Sequence, residues 1–155
     1  MTLYPPLGTR GFGPLRAIGY GAMEAKEYVD VRSMDICRFL QIEHIDAIND
    51  IERIAALPYV DGFIFGPNDL SASIGEFLNV FGENTFSKIE YANKVIKKHG
   101  KWSGLACGSS SEEIEHWWVL GFDLFFAGAD WGFVFQHAKN TLKRMKETDS
   151  KLNSK

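Results

Sequence analysis

A repeated alternation of strand-like and helix-like segments constrains how this chain can fold more than any other feature. Four short apolar runs have the length and composition of buried strands, and each is followed by a segment with helical periodicity. Strands that alternate with helices form βα units, in which neighbouring strands run parallel. The sequence therefore predicts an α/β fold with a parallel sheet whose strands span residues 37–42, 61–65, 102–106 and 123–127.

The helices between these strands are indicated by apolar residues that recur on one face. Gly100 is expected to close the longest of them, and Ser110 or Ser111 to cap the next one. The last helix is expected to end near Lys146 and the polar residues after it to fray, so that one domain spans residues 1–150 and a tail spans 151–155. The other helices are predicted within residues 16–29, over 45–55 and after Asp69, and the longest has an apolar face of Phe86, Ile89, Ala92, Val95 and Ile96.

Composition and charge exclude several classes of protein. The chain has a net charge of -3 and an isoelectric point near 5.8, so it lacks the basic surface that binds nucleic acid or anionic membranes. No stretch approaches the roughly 20 apolar residues of a membrane-spanning helix, and the N-terminus lacks the design of a signal peptide. Cys37 and Cys107 lie in separate apolar segments, so we predict two reduced core cysteines in a cytoplasmic protein.

Two acidic residues follow neighbouring strands at the ends where parallel sheets carry their functional loops. Gln41 and Glu43 end the first strand and, being two residues apart, project from the same face. Asp69 follows the second strand, after a Gly-Pro-Asn turn. Because the C-terminal ends of parallel strands lie side by side, both carboxylates are expected to reach one point. Such a pair suits Mg²⁺ or Mn²⁺, with Co²⁺ as a further candidate, since these cations take oxygen ligands and retain waters.

Each of these residues also has a purely structural explanation. Asp69 is a candidate N-cap for a short helix, and Glu43 could be a solvated strand end. Gly66 and Pro67 could form only a tight turn. A helix that starts near Asn68 would also present backbone amides to an anion. A divalent metal beside such amides suits a 2-keto acid, because its keto and carboxylate oxygens can chelate the metal while the metal stabilises the enolate.

Several motifs along the chain resemble those of the HpcH/HpaI family of class II pyruvate aldolases, which includes aldolases of sugar acids and of hydroxy-ketodioates. Residues 4–11, YPPLGTRG, resemble the family's YPPxGxRG loop. Residues 40–43, LQIE, resemble its metal-binding strand, and residues 60–71, VDGFIFGPNDLS, resemble its GVDGxFxGPxDLS signature. The interval between Glu43 and Asp69 is also typical of the family.

This resemblance implies a (β/α)₈ barrel of the TIM type, of which the chain would form the C-terminal half. Glu43 and Asp69 would be the metal ligands, and Gln41 would lie near the keto oxygen of the substrate. Arg10 would line the mouth of the site. The pyruvate carboxylate would be bound by the turn after the second strand, which consists of Gly66, Pro67, Asn68 and Asp69.

The chain also departs from the family pattern. Family members carry the other half of the barrel before the YPP loop, and that half supplies the catalytic base and an arginine that stabilises the enolate. His44 should point to the opposite strand face from Glu43, so it is a poor substitute for that base. A half barrel exposes two strand edges and an apolar inner face, and we therefore expect either a homo-oligomer or association with a missing N-terminal half.

The resulting prediction is a lyase that cleaves a 4-hydroxy-2-keto acid, of the sugar-acid or hydroxy-ketodioate type, to pyruvate and an aldehyde. Two alternatives stay open, namely a non-catalytic remnant that binds metal or keto acid, and one subunit of a split aldolase. A citrate-lyase-like enzyme has a similar Glu and Asp arrangement, although the GPxDLS form and the YPP loop argue against it. We expect weak or absent aldol activity from the chain alone.

Overall fold

One parallel sheet organises the computed structural model, which describes residues 2–153. Its strands are hydrogen-bonded in sequence order, and all three strand pairs are parallel. The predicted α/β order is therefore confirmed, and each strand begins and ends within two residues of its predicted bounds. The four strands are β1 (Phe39–Ile42), β2 (Gly62–Phe65), β3 (Trp102–Cys107) and β4 (Leu124–Ala127).

Helices precede the sheet, connect its strands and follow it. Within residues 2–153, no helix has the length and hydrophobicity needed to cross a bilayer. The first part of the chain has a 3₁₀ turn (Gly19–Gly21), a short α1 (Ala25–Glu27) and a π turn (Tyr28–Arg32). The remaining helices are α2 (Ile45–Asn49), α3 (Ile51–Ala55), α4 (Pro67–Ser73), α5 (Glu83–Lys98), α6 (Ser111–Trp118) and α7 (Asp130–Asn153).

The helix boundaries follow local chemistry closely, with one interruption. Ser110 caps α6, because its hydroxyl accepts a hydrogen bond from the Glu113 N–H at 3.2 Å. Gly100 follows α5 with φ of +69°, the left-handed conformation expected of a glycine past a helix end. Both predictions are confirmed. The helix predicted over residues 45–55 is interrupted at Asp50, which separates α2 from α3.

The last helix is longer than the sequence pattern predicts. The expected end near Lys146 is wrong, and residues 151–153 are helical rather than frayed. Polar side chains one turn apart support the extra turns, as where Asn153 Nδ2 donates to Asp149 Oδ1 at 2.7 Å. Residues 154–155 of the expected tail lie outside the described residues.

The hydrophobic core lies between the sheet and its helices. Alternate residues of each strand point toward the helices, because successive side chains of a strand project to opposite faces. Phe63, Phe65 and Leu105 are fully buried on this side of the sheet. Ile89 and Ile96 of α5 belong to the same buried cluster, as their predicted position on one helix face requires. The main core is therefore one layer of helices packed on one face of the sheet.

The opposite face of the sheet is open. Gln41, Ile64 and Gly104 are neighbours across the sheet and therefore share this face. Trp102 and Phe126 lie on the same face by strand alternation, and their exposed fractions are 57% and 49%. Large aromatic side chains exposed on one face of a sheet mark a surface that another layer of protein covers.

The two cysteines differ in their surroundings. Cys37 is exposed, so its predicted place in the core is wrong, because β1 begins only at Phe39 and leaves Cys37 in the preceding loop. Cys107 ends β3, is partly buried and packs against the core. Burial raises the pKa of the Cys107 thiol, and the nearby Glu113 carboxylate raises it further.

Two aspartates repeat one hydrogen-bonding pattern at the N-terminal ends of the strands. Asp61 precedes β2 and accepts a hydrogen bond at 2.6 Å from the N–H of Arg38, the residue before β1. Asp123 precedes β4 and accepts a hydrogen bond at 2.9 Å from the N–H of Ser103 in β3. Each carboxylate therefore ties the start of one strand to the start of its neighbour, which helps to hold the register of the parallel pair.

Asp123→Asn is expected to destabilise the fold in a pH-dependent way. Burial raises the pKa of Asp123, but the Ser103 N–H and the Lys97 ammonium together lower the pKa by more, so it lies below its ordinary value. A carboxyl group with a depressed folded-state pKa contributes stability above its unfolded pKa and loses that contribution as the pH falls through the folded-state pKa.

We therefore expect Asp123→Asn to lower the free energy of unfolding by about 1 kcal/mol at pH 7, and by less below about pH 4. Urea titrations of the wild type and the variant, at pH 7 and below about pH 4, measure the difference in their free energies of unfolding. A loss of stability of the same size at both pH values would show that the carboxylate charge is not what holds the strands.

Candidate functional site

Gln41 and Glu43 form the first part of the candidate site, at the C-terminal end of β1. Gln41 is exposed on the open face of the sheet, and Glu43 directly follows the strand. The side chains are in contact, because Gln41 Nε2 donates a hydrogen bond to Glu43 Oε1. They therefore project to the same side, as their spacing predicts.

Gly66 brings the next strand close to Glu43. Its N–H donates to the Ile42 carbonyl at 3.0 Å, which continues the parallel ladder past the end of β1. A Cβ on Gly66 would lie 2.7 Å from Glu43 Oε1 and 2.8 Å from Glu43 Cγ. The φ of Gly66 is −106°, which other residues adopt readily. Glycine is therefore needed here for the close approach of Glu43, and not for its backbone conformation.

The residues after Gly66 open α4. Pro67 is the first residue of this helix, a position where its missing N–H leaves no hydrogen bond unmade. Asn68 and Asp69 follow in the first turn and are exposed. Gly66 is the N-cap, so the alternative that Asp69 serves as the cap is wrong. The Gly-Pro pair likewise starts a helix and is more than a tight turn.

Only part of this turn offers free backbone donors to an anion. The N–H of Gly66 is hydrogen-bonded to Ile42, and Pro67 has no N–H. The amides of Asn68 and Asp69 remain in the first turn of α4, where an α-helix provides no intrahelical acceptor for them. These two amides, rather than all four residues of the turn, are the candidates for binding a carboxylate.

The donor atoms at the site fit a hard divalent cation. Glu43 and Asp69 supply carboxylates, and Asp69 makes no side-chain hydrogen bond to any residue within 2–153. Those described residues contain no group of three or more His, Cys, Asp and Glu side chains that could hold a metal. Two carboxylates with room for water suit Mg²⁺ or Mn²⁺ better than zinc, whose sites have three or four protein ligands. That Glu43 and Asp69 bind a metal ion stays a prediction.

Arg10 lies away from these residues. Its guanidinium stacks on the Tyr4 ring, 4.8 Å from the ring centroid, and lines a pocket of about 360 Å³. The same pocket contains Arg38, which precedes β1 at the N-terminal end of the strand. Glu43 follows the other end of β1. The structure therefore brings Arg10 to Arg38 and not to Glu43, and its role at the mouth of the site stays a prediction.

His44 has a structural role at the start of α2. It is the N-cap residue, and its Nδ1 accepts a hydrogen bond from the Asp46 N–H at 3.2 Å. One ring nitrogen is thus engaged in a local contact. The expectation that His44 is a poor substitute for the catalytic base stays a prediction.

One residue beside the site is not predicted by the sequence pattern. Ser73 ends α4, and its hydroxyl accepts a hydrogen bond at 3.0 Å from the N–H of Ile45, two residues past Glu43. The feature of the sequence that could have identified Ser73 is its spacing of four residues from Asp69, which places both residues on the same side of α4.

Gly66→Ala is expected to separate metal binding from folding. The new Cβ would lie too close to both Cγ and Oε1 of Glu43, so the whole Glu43 side chain would have to turn away, while the backbone at Gly66 suits alanine. Without metal, we expect the melting temperature to change by less than about 2 °C. With Mn²⁺, we expect it to rise by less than about half as much as in the wild type, because Glu43 is displaced from the ion.

Differential scanning fluorimetry with and without Mn²⁺ measures both effects. Gly132→Ala is the matched control, since a Cβ there would meet no atom within 4 Å. A full wild-type response to Mn²⁺ in Gly66→Ala would contradict the prediction that Glu43, in its place beside Gly66, binds the ion.

The chain is similar to aldolases over most of its length. Residues 1–116 match the HpcH/HpaI aldolase/citrate lyase family. The chain is 30% identical over 147 residues to the hydroxypyruvate/pyruvate aldolase of Deinococcus radiodurans, and the aligned region covers 94% of this chain and 52% of that protein. It is 31% identical over 144 residues to the 2-dehydro-3,6-dideoxy-6-sulfogluconate aldolase of Pseudomonas putida, and the aligned region covers 92% of this chain and 55% of that protein.

A solved structure has the same fold. The crystal structure of an HpcH/HpaI aldolase from Desulfitobacterium hafniense superposes with a TM-score of 0.73 at 27% identity, over 94% of this chain and 56% of that one. The predicted TIM-barrel architecture is thereby confirmed, with four parallel βα units present here. The chain spans about half the length of the curated relatives that it matches. On these grounds, the chain belongs to the HpcH/HpaI aldolase/citrate lyase family.

Proposed function

We propose that this chain is the metal-carrying part of an aldolase that cleaves a 4-hydroxy-2-keto acid to pyruvate and an aldehyde. The observation that carries the proposal is the arrangement after β1 and β2, where Glu43 lies over Gly66 at the start of the helix that bears Asp69. These are the C-terminal ends of parallel strands, where TIM barrels carry their active sites. Family membership supports the reaction class, since the relatives described above are aldolases.

Each residue of the site has a proposed role. Glu43 and Asp69 would hold Mg²⁺ or Mn²⁺, and Gln41, through its hydrogen bond, orients the Glu43 carboxylate. When bound, the ion would supply Lewis-acid stabilisation of the negative charge that develops on the keto oxygen as the carbon–carbon bond breaks. The amides of Asn68 and Asp69 would bind the substrate carboxylate, which turns the keto group toward Gln41 and Glu43.

The rest of the catalytic machinery is proposed to lie on the βα units that complete the barrel. The open face of the sheet exposes Trp102 and Phe126, and β1 and β4 each have an unpaired edge within the described residues. Neither His44, which caps α2, nor Arg10, which lies with Arg38, supplies the expected base or enolate-binding arginine. A second copy of the chain could cover the open face, but only the N-terminal half of the barrel would also restore those two groups.

A second candidate function is binding without turnover. It is favoured by the local contacts of His44 and Arg10, since neither of their side chains is hydrogen-bonded to Glu43 in the part of the chain that the structure describes. In that case the chain would bind the same metal and the same class of keto acid, but it would release no pyruvate.

Release of pyruvate with and without metal tests the proposal. The chain is combined with the N-terminal half of the barrel and supplied with 4-hydroxy-2-ketoheptanedioate, and pyruvate is followed with lactate dehydrogenase and NADH. We expect release in Mn²⁺ and its loss in EDTA. Release that EDTA does not affect would contradict the role of the metal, whereas metal binding without pyruvate release would favour the second candidate function.

A further inference from the structure

Glu43 is held on both sides by hydrogen bonds to the segment formed by β2 and α4. On one side, the Ile42 carbonyl accepts from the Gly66 N–H at 3.0 Å. On the other side, the Ile45 N–H donates to Ser73 Oγ at 3.0 Å. The two-residue stretch between these bonds contains Glu43, so its backbone is tied to β2 and α4 at both ends.

The Ser73 hydroxyl makes two hydrogen bonds in opposite roles. It donates to the Leu70 carbonyl at 2.8 Å and accepts from the Ile45 N–H. A bond from a serine hydroxyl to a carbonyl one turn earlier is common within helices, and alone it would have no consequence for the site. The bond from Ile45 is different, because it joins two βα units and lies in a partly buried place.

We infer that Ser73 is a positioning residue for the carboxylates of Glu43 and Asp69, an inference that rests on the proposed function. Asp69 lies one helical turn before Ser73, on the same side of α4. Ser73 therefore links the backbone beside Glu43 to the side of the helix that bears Asp69. When the backbones that bear two ligands are held in place relative to each other before the ion arrives, less conformational freedom is lost on binding, and the affinity for the ion is higher.

A titration with Mn²⁺, followed by electron paramagnetic resonance of the free aqueous ion, tests this role on the 155-residue chain. Ser73→Ala removes the acceptor of the Ile45 N–H, and we expect the Kd for Mn²⁺ to rise about tenfold. Ser73→Thr keeps a hydroxyl group and should restore the Kd to within about threefold of the wild type.

Ser87→Ala is the matched control. The Ser87 hydroxyl also donates to a carbonyl three residues earlier, that of Asn84 at 3.0 Å, but it bonds to no other segment within residues 2–153. Its replacement therefore removes the same kind of intrahelical bond without touching the link to Glu43. The Kd for Mn²⁺ should be that of the wild type.

Ile45→Pro removes the same hydrogen bond from the donor side. Ile45 is the first residue of α2, where proline is tolerated, and His44 before it has the extended conformation that proline favours, with φ of −136° and ψ of 146°. We expect the same rise in the Kd as for Ser73→Ala. This variant keeps the test decisive if Ser73→Ala does not fold, which circular dichroism would show.

The outcomes distinguish the inference from the proposed function. Weaker Mn²⁺ binding in Ser73→Ala and Ile45→Pro, with recovery in Ser73→Thr and no change in Ser87→Ala, supports the positioning role. Wild-type affinity in both Ser73→Ala and Ile45→Pro overturns that role and leaves the metal site standing. A wild-type chain that binds no Mn²⁺ overturns the metal part of the proposed function, and the inference with it.

Discussion

Glu43→Gln is expected to lower pyruvate release by the completed barrel at least about 10³-fold, which corresponds to about 4 kcal/mol of transition-state stabilisation. The substitution keeps the volume of the side chain but removes the negative charge that would bind the ion. Asp69→Asn should have a similar effect, because a site with only two carboxylates loses half of its charge in either variant. The initial rate of pyruvate release at saturating Mn²⁺ measures both.

Glu90→Gln is the control for these two variants. Glu90 lies on α5, and its carboxylate forms an ion pair at 2.7 Å with Lys94, one turn later. Both side chains are more than two-fifths exposed, so the pair contributes little to stability. The control should therefore release pyruvate at the wild-type rate. Rates within about threefold of the wild type in Glu43→Gln and Asp69→Asn would exclude these carboxylates from the reaction.

The chain alone is expected to release pyruvate at least about 10²-fold more slowly than the same chain combined with the N-terminal half of the barrel. General acid–base catalysis by a positioned side chain typically contributes about 10²- to 10⁴-fold, and the proposed base lies on that half. We do not expect His44 to replace it, because its Nδ1 accepts a hydrogen bond from the Asp46 N–H at the start of α2.

Rates from the two preparations are compared at equal concentrations of the chain, with Mn²⁺ saturating in both. Light scattering identifies the monomeric fraction of the chain, so that self-association is not mistaken for completion of the barrel. A monomeric chain that cleaves a 4-hydroxy-2-keto acid as fast as the combined halves would contradict the assignment of the base to the N-terminal half.

The parallel sheet and its order could be predicted from local patterns. Each strand is a short apolar run, and the helix between β2 and β3 repeats its apolar residues at helical spacing. Glycines mark the ends, as Gly100 does after α5. These features depend only on neighbours along the chain, so the sequence contains the information directly.

Element ends that depend on a competition between residues were predicted less well. Asp69 is a strong N-cap candidate by composition, yet α4 begins at Pro67, because proline is already shaped for the first helical position. The polar end of α7 stays helical, although its composition suggested fraying. In both cases two local preferences conflict, and the sequence pattern does not show which is stronger.

Contacts between neighbouring βα units could not be predicted from the spacing of residues along the sequence. The sequence pattern predicts that Gln41 and Glu43 share a face, and they do. It does not show that Glu43 lies against Gly66, or that Ser73 binds the backbone beside Glu43. These contacts depend on the register of neighbouring strands and on how α4 packs on them.

The surroundings of Arg10 likewise depend on contacts between segments that are distant in the sequence. The resemblance to the YPPxGxRG loop implies that Arg10 lines the mouth of the site, which stays a prediction. The sequence does not show that its guanidinium stacks on Tyr4 in the pocket that contains Arg38. Backbone hydrogen bonds from the Gly8 N–H to the Tyr4 carbonyl and from the Arg10 N–H to the Leu3 carbonyl close this loop, which also contacts surfaces outside it. Here those surfaces are the residues just before β1.

Binding of Mn²⁺ to the wild-type chain and to the Glu43→Gln/Asp69→Asn double variant tests the central claim most directly. Equilibrium dialysis of each folded protein against Mn²⁺ gives the number of ions bound per chain and their Kd. The wild type should bind one ion per chain, and the double variant should bind none over the same concentration range. One ion bound by the double variant with the wild-type Kd would show that Glu43 and Asp69 are not the metal site.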